Sequence, residues 1–430
     1  MTRDEESRQE LDANHSSLVT HHSSLPVDEI LEALELSRAE PGIGFLEALF
    51  HRFNARVPFE NATKLLRHAA VADPGQKPRR PQTFWSDHLS SGTGGTCFAR
   101  VEAFRELLAA LGFPAVRALG RVGADFDHAA VFVERDGKSF LCDVGYPLAA
   151  VVPARAGRYP AGRGTLEVSE TARGLAVGFG DSVPEGSRGL EVFSGPVPPE
   201  DFENHWRATF RPGAHFLSGV RIRVECEGRT LAFSEGEARV DDLHSRLVVP
   251  LPRPRAGRLS DLFGMDAAIL EKALGLAGDP DPDSEAEGGS LTAYLETPAS
   301  ADEAFASIGT ARGYRDLLAG LGEASVLGES AEDFRIRISA GEGGGGESFL
   351  EEEVAVDRAA RRLSIRRRTA AGPETRFSLR AESRAGATFL IREALFENPR
   401  EDLLRNDSLR GRLAGSLAVD LLAWSRQIGR

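Results

Sequence analysis

Apolar positions recur at helical spacing through "VDEILEALELS" and again through "GFLEALFHRFNARVPFENATKLL", where Pro58 breaks the second run. Ordered structure is therefore expected to begin near Pro26 as a group of helices. A stronger helix is predicted from Cys97 to Leu111, with Phe98, Val101, Phe104, Leu108 and Leu111 on one face and Gly112 as its carboxy-terminal cap. From Val116 to about Leu251 the pattern changes to strands, separated by turn signals such as "RDGK" and "CEGRT". "GDPDPDSEAEGGS", residues 278–290, reads as an acidic linker. Beyond it "LTAYLET" predicts a strand and "SADEAFASI" a helix. The strands "FRIRIS", "RLSIRR", "TRFSLRAES" and "TFLIREALF" follow. A closing amphipathic helix bears Leu409, Leu413, Leu417, Leu421, Trp424 and Ile428.

These patterns divide the chain into a disordered tail (1–25), a first domain (26–277), a linker (278–290) and a second domain (291–430). The tail contains "HSSLVTHHSSLP"; its His15, His21 and His22 could bind a metal, but low hydrophobicity favours a disordered segment. The glycine run in "GEGGGGES" lacks the Lys-Ser/Thr pair of a phosphate loop and is expected to be a hairpin tip.

Composition narrows the function classes. A net charge of -13 disfavours nucleic acid or an anionic membrane as partner. The run Arg366, Arg367, Arg368 reads as a solvated strand, because no aromatic platform interleaves with it. No apolar run reaches the roughly 18 residues of a membrane helix, and "MTRDEESRQE" is acidic where a secretory signal would be basic and then apolar. Three cysteines form no disulfide framework and suit a reducing compartment. A cytoplasmic protein without membrane or nucleic-acid partners is the expectation.

Candidate chemistry starts at "GGTCFARVEAF". A cysteine at a helix start meets free backbone N–H groups and the positive end of the helix dipole, both of which stabilise a thiolate. Gly94 and Gly95 would allow a substrate or a second backbone to approach. Alone, this segment favours a packing residue at Cys97, since free cysteine is among the most buried residue types. "DHAAVFVERDGKSFLCDVGYP" changes the weighing. Asp136-Gly137 is a two-residue hairpin signal, and a turn centred there places His128 opposite Gly145 and Asp143 opposite Ala130. His128 and Asp143 then share a face as diagonal neighbours about 7–8 Å apart, within reach of an imidazole–carboxylate hydrogen bond. Cys142 falls on the other face with Ala129, Val131, Val133 and Val144, and Cys226 continues the alternation Ile222, Val224; both are expected in the core. Cys97, His128 and Asp143 together supply a nucleophile, a base and an orienting acid.

These residues resemble the arylamine N-acetyltransferase family over about residues 27–250. Pro58-Phe59-Glu60-Asn61 looks like its "PFEN" segment, "TGGTCFA" (93–99) is similar to its Arg-Gly-Gly-Tyr-Cys-Phe-Glu motif, and "DVGYP" (143–147) to its "DVGFG". "DFENHWRATFRPGAHFLSGVRI" looks like a second-barrel segment. The resemblance implies an α+β fold: a helical bundle, a β-barrel and an α/β region carrying a cysteine-protease-like triad. It implies ping-pong transfer of an acyl group from acetyl-CoA through Cys97, without a metal, to the amine nitrogen of a small-molecule acceptor. Phe59 and Tyr146 match acceptor-pocket positions. The motif arginine is Thr93 here, its glutamate is Ala99, and a glycine of "DVGFG" is Pro147. The same segment is similar to the wider transglutaminase-like superfamily, which leaves an amidase, peptidase or amide synthase, or a degenerate ligand-binding protein, as alternatives. Residues 291–430 resemble START-like helix-grip domains, which implies an apolar cavity and a possible hydrophobic ligand.

Overall fold

The computed structural model describes residues 25–396, except 147, 162–163, 180–188, 196, 227–228, 242–244, 252, 279–288, 319–322, 340–348, 370–373 and 385–386, together with Leu403, Leu417 and Leu421. The helical group comprises α1 (Val27–Ala33), α2 (Ile43–Arg56), α3 (Ala62–Ala70), α4 (Pro81–Ser91) and α5 (Cys97–Ala110), with a two-residue strand β1 (Phe59–Glu60) between α2 and α3. Leu25, placed in the expected tail, is buried in the first core; His15, His21 and His22 lie outside the described residues.

α5 follows the sequence expectation closely at its ends: Gly112 sits just beyond it at φ 86°. Its burial is broader than expected. Cys97 through Phe104 are all buried, Arg100 and Glu102 included, so the helix runs through the core instead of lying on it. Phe53 of α2 packs on its Phe104, ring centres 4.9 Å apart, and Trp85 of α4 packs on Phe53.

An eight-stranded antiparallel sheet covers α5. Its strands are β2 (Ala115–Arg121), β3 (His128–Arg135), β4 (Lys138–Cys142), β5 (Val152–Pro153), β6 (Gly157–Ala161), β7 (Gly164–Glu170), β8 (Gly174–Phe179) and β9 (Leu190–Phe193). They lie in the order β5-β4-β3-β2-β9-β8-β7-β6. The two edge strands are consecutive in sequence, so the sheet curls into a nearly closed barrel. Asp136 and Gly137 both have positive φ, 52° and 70°, as a type I′ turn requires. Val131 pairs with Cys142, the register expected from that turn. Cys142 is fully buried in the first core beside Ala129, Val131, Val133 and Val144, where burial pushes its thiol up.

The strand-rich reading of residues 116–251 misses one helix, α6 (Pro199–Ala208), opened by Pro199 with Glu200 and Asp201 in its first turn. It buries Phe202 and Trp206 against Phe98. A second sheet then begins with β10 (Ile222–Cys226), β11 (Arg229–Ser234), β12 (Glu237–Asp241) and β13 (Ser245–Pro250), followed by α7 (Ala256–Phe263) and α8 (Ala267–Ala277). The Cys226 side chain lies outside the described residues.

After the segment expected to be a linker come β14 (Ser290–Thr297), α9 (Ala301–Ile308) and α10 (Ala311–Leu318). The strands β15 (Glu323–Glu329), β16 (Asp333–Ser339), β17 (Phe349–Asp357), β18 (Arg362–Thr369), β19 (Thr375–Arg384) and β20 (Ala387–Leu395) follow. Ser300 and Glu303 form a capping box at the start of α9. β14 pairs antiparallel with β13, Leu247 opposite Leu291, so one sheet of twelve strands spans the expected boundary. A second core likewise joins Leu247 and Leu270 to Leu291, Tyr314 and Ile365. Of the closing helix, Leu417 and Leu421 are described, helical and buried in that core, and Leu403 is likewise helical and buried there; Leu409, Leu413, Trp424 and Ile428 lie outside the described residues, as does the whole "GEGGGGES" tip.

The basic run is less solvated than expected. Glu351, Glu352 and Glu353 of β17 face Arg368, Arg367 and Arg366 of β18, and the middle pair turns inward, with Arg367 Nε 2.6 Å from the fully buried Glu352.

Candidate active site

Cys97 is the first residue of α5, and no side chain caps the free N–H groups of that first turn. The approach to it is fixed by backbone. Gly95 N–H donates to the Pro58 carbonyl at 3.2 Å, and Glu60 N–H donates to the Gly95 carbonyl at 3.1 Å. A Cβ on Gly94 would lie 1.7 Å from the Pro58 carbonyl oxygen. The two glycines thus admit a second backbone, that of β1, and this puts Phe59 beside the start of α5.

β3 and β4 bring the other two groups. His128 opens β3 and is 2 % exposed; Asp143 follows β4 and is fully buried. His128 Nε2 is 2.7 Å from Asp143 Oδ2, while Asp143 Oδ1 accepts from the backbone N–H groups of Gly145 (2.9 Å) and Tyr146 (2.7 Å). With Nε2–H given to Asp143, Nδ1 is the nitrogen left for Cys97. Burial works against a charged imidazole here, but the charge of the Asp143 carboxylate and the ring's hydrogen bonds to Asp143 and Cys97 outweigh it and raise His128 to about 10. The Cys97 sulfur donates to the Asp127 carbonyl at 3.8 Å. Asp127 itself anchors the preceding loop, accepting from the N–H groups of Val122, Gly123 and Ala124.

Gly145 closes the arrangement. A Cβ there would sit 3.0 Å from Cys97 Cβ, 3.1 Å from His128 Cε1 and 2.4 Å from the Ala129 carbonyl oxygen. Of the two expected pocket residues, Tyr146 places its ring perpendicular to His128 at 6.3 Å, and Phe59 stands 5.3 Å from Phe216. Asn61 holds Phe216 there: its Nδ2 donates to the carbonyls of Phe216 (3.1 Å) and Gly219 (2.8 Å), and its Oδ1 accepts from Arg221 N–H. Pro147 lies outside the described residues.

Two buried arginines escape the sequence reading. Arg100, one turn into α5, donates to the carbonyls of Val144 (2.7 Å) and Val57 and to Asn54 Oδ1 (2.8 Å). It ties the Asp143 loop and the Pro58 segment to the helix that carries Cys97. Burial is the main reason its guanidinium falls to about 9, with Arg223 adding to it. Arg79 stands over the Phe84 ring at 4.8 Å, donates to Asp87 (3.1 Å) and to the Thr93 hydroxyl (3.3 Å), and lies 3.9 Å from Glu60. A Cβ on Gly95 would meet Ala99 Cβ at 3.0 Å and Arg79 at 3.3 Å. The small Ala99 and short Thr93 therefore leave the volume that the Arg79 head occupies. The signal in the sequence was a lone cation, Arg100, within the apolar stretch "CFARVEAF"; Arg79 gives none.

Fold and geometry define a protein with a thiol, an imidazole and a carboxylate assembled on an α+β scaffold. Residues 43–160 match the sequence model of the N-acetyltransferase family. Solved structures of arylamine N-acetyltransferases superpose on the chain. The Mycobacterium smegmatis structure does so at 22% identity and TM-score 0.51, covering 60% of this chain and 99% of that one. The Salmonella typhimurium structure gives 18% and 0.51, covering 58% and 97%. A Mycobacterium marinum structure in complex with CoA gives 17% and 0.51, covering 59% and 99%. The chain thus contains the whole arylamine N-acetyltransferase fold and extends well beyond it. No curated protein matches in sequence. Among the described residues no helix is long and apolar enough to cross a membrane, and no group of three or more His, Cys, Asp or Glu residues could hold a metal ion.

Proposed function

We propose that the chain is a thiol acyltransferase that takes an acetyl group from acetyl-CoA and passes it to a small-molecule amine. The observation that carries this reading is His128, buried and bonded to Asp143, with Cys97 beside it across Gly145. His128 holds the Cys97 proton, and the Cys97 thiolate attacks the thioester carbonyl. The C–S bond to CoA then breaks, and the departing CoA sulfur takes that proton, leaving an acetyl thioester on Cys97. An amine nitrogen next attacks this thioester; His128 accepts the nitrogen's proton and returns it to the Cys97 sulfur as the amide leaves. Asp143 keeps the imidazole in the tautomer that presents Nδ1. Phe59 and Tyr146 line the acceptor side, and a reducing cytoplasm suits a reaction that needs a free thiol.

Intact mass after incubation with acetyl-CoA tests this. An acetyl adduct is expected on the parent and not on Cys97→Ala; a parent that acquires no adduct from acetyl-CoA overturns the reading.

The carboxy-terminal part is read as a helix-grip domain with a hydrophobic ligand. The element order β14-α9-α10 followed by six antiparallel strands, and helical Leu417 and Leu421 buried against them, support it.

A further inference from the structure

Lys64 is the third residue of α3, a position where burial favours an apolar side chain, and it is 6 % exposed. Its Nζ stands 4.9 Å from the centre of the Phe210 ring and 5.9 Å from that of Phe216. Among the described residues no carboxylate lies within ion-pair distance of it. An ammonium out of water without a counter-ion is costly, and ring faces return only part of that cost. Burial accordingly pulls Lys64 down to about 8, and the opposing influence is the charge of Cys97. The two groups are therefore within electrostatic reach of each other. The backbone explains the proximity: β1 runs beside Gly95, and α3 starts two residues after β1 ends. Phe216, which shares Lys64 with Phe210, is also the ring packed on Phe59.

We propose that Lys64 is a specificity-determining residue whose ammonium binds a carboxylate on the small molecule reacting at Cys97. The substrate class is then an acidic acyl donor or an acidic aromatic amine, in preference to the neutral counterpart. This rests on the reading of Cys97 as nucleophile. The rings of Phe59, Phe210 and Phe216 supply flat apolar walls beside the cation, which suits an aromatic acid.

Three measurements test it. In the first, alkylation of Cys97 by neutral iodoacetamide is followed by mass, in the presence of benzoate or of benzamide. Benzoate is expected to protect the parent at about tenfold lower concentration than benzamide, the worth of one charged hydrogen bond. Lys64→Met should bring the two together, and Lys64→Arg should restore the difference. In the second, acylation of Cys97 by succinyl-CoA is compared with acetyl-CoA. In the third, discharge of the acetylated enzyme to 4-aminobenzoate is compared with aniline. A charge preference in the second locates the carboxylate on the donor, in the third on the acceptor; either should collapse in Lys64→Met.

The proposal is overturned if the parent shows no preference for the acid in any of the three, or if Lys64→Met keeps the parent's ratios. Alkylation needs no turnover. Protection by benzoate in a parent that no CoA thioester labels would therefore retain the Lys64 site while removing acyl transfer from CoA. Should Lys64→Met fail to fold, the parent's own preferences and Lys64→Arg still decide.

Discussion

His128 shows how much one buried pair can set. Its ordinary value of 6.5 is raised to about 10 in the fold. The stability that the charged ring contributes is thus fully present below about pH 6.5 and lost as pH rises through about 10. The expected outcome is that the gap in unfolding free energy between the parent and His128→Gln narrows from pH 6 to pH 10, measured by urea titration at each pH. A gap that stays constant would show that the ring is not held charged. This residue and Asp143 were legible because an Asp-Gly turn fixes register by itself, and register places both on one face. Arg79 and Lys64 were not legible, and Arg100 showed only as a lone cation in an apolar stretch, because each owes its environment to partners outside its own element. Arg100, for example, is held by Asn54, Val57 and Val144. Local pattern carries no record of such contacts.

Elements meet around Cys97 through backbone more than through side chains. Gly94→Ala would drive a methyl into the Pro58 carbonyl, a contact between two fixed backbones that no rotamer relieves. It is expected to cost about 2 kcal/mol or more and to slow alkylation of Cys97, because β1 must shift. Gly275→Ala, inside α8 with nothing within 4 Å, is expected instead to stabilise by about 0.5–1 kcal/mol. Urea denaturation of the two variants checks both signs. The sequence placed most strands and the start of α5 correctly, since alternation and a helix-start glycine pair are local signals. It missed α6 because "PEDFENHWRA" presents only Phe202 and Trp206 to the core, too few apolar residues for the helical period to stand out among strands.

At the scale of the whole molecule, the expected division at residues 278–290 meets a continuous hydrogen-bonded ladder. β13 uses its outer edge on β14, and the second core draws residues from both sides. A chain ending at Ala277 would expose that edge and much of that core, a template for intermolecular pairing. Such a truncation is expected to aggregate or elute as oligomers on size-exclusion chromatography, while the full chain elutes as a defined species. A monodisperse, cooperatively unfolding truncation would show that the amino-terminal part stands alone. The linker reading failed to suggest this because acidic, glycine-rich composition reports on a connection and not on whether the strands either side of it pair.

The turn at Asp136-Gly137 is among the most exposed points of its hairpin, the sort of place where genes ordinarily tolerate an added codon. Here it sets the phase of everything below it. Slipping β4 by one residue against β3 would exchange the two faces of that strand and leave Asp143 pointing away from His128. The reading frame of the chemistry is kept at its most weathered corner, where one added residue would cost the site its carboxylate without touching it.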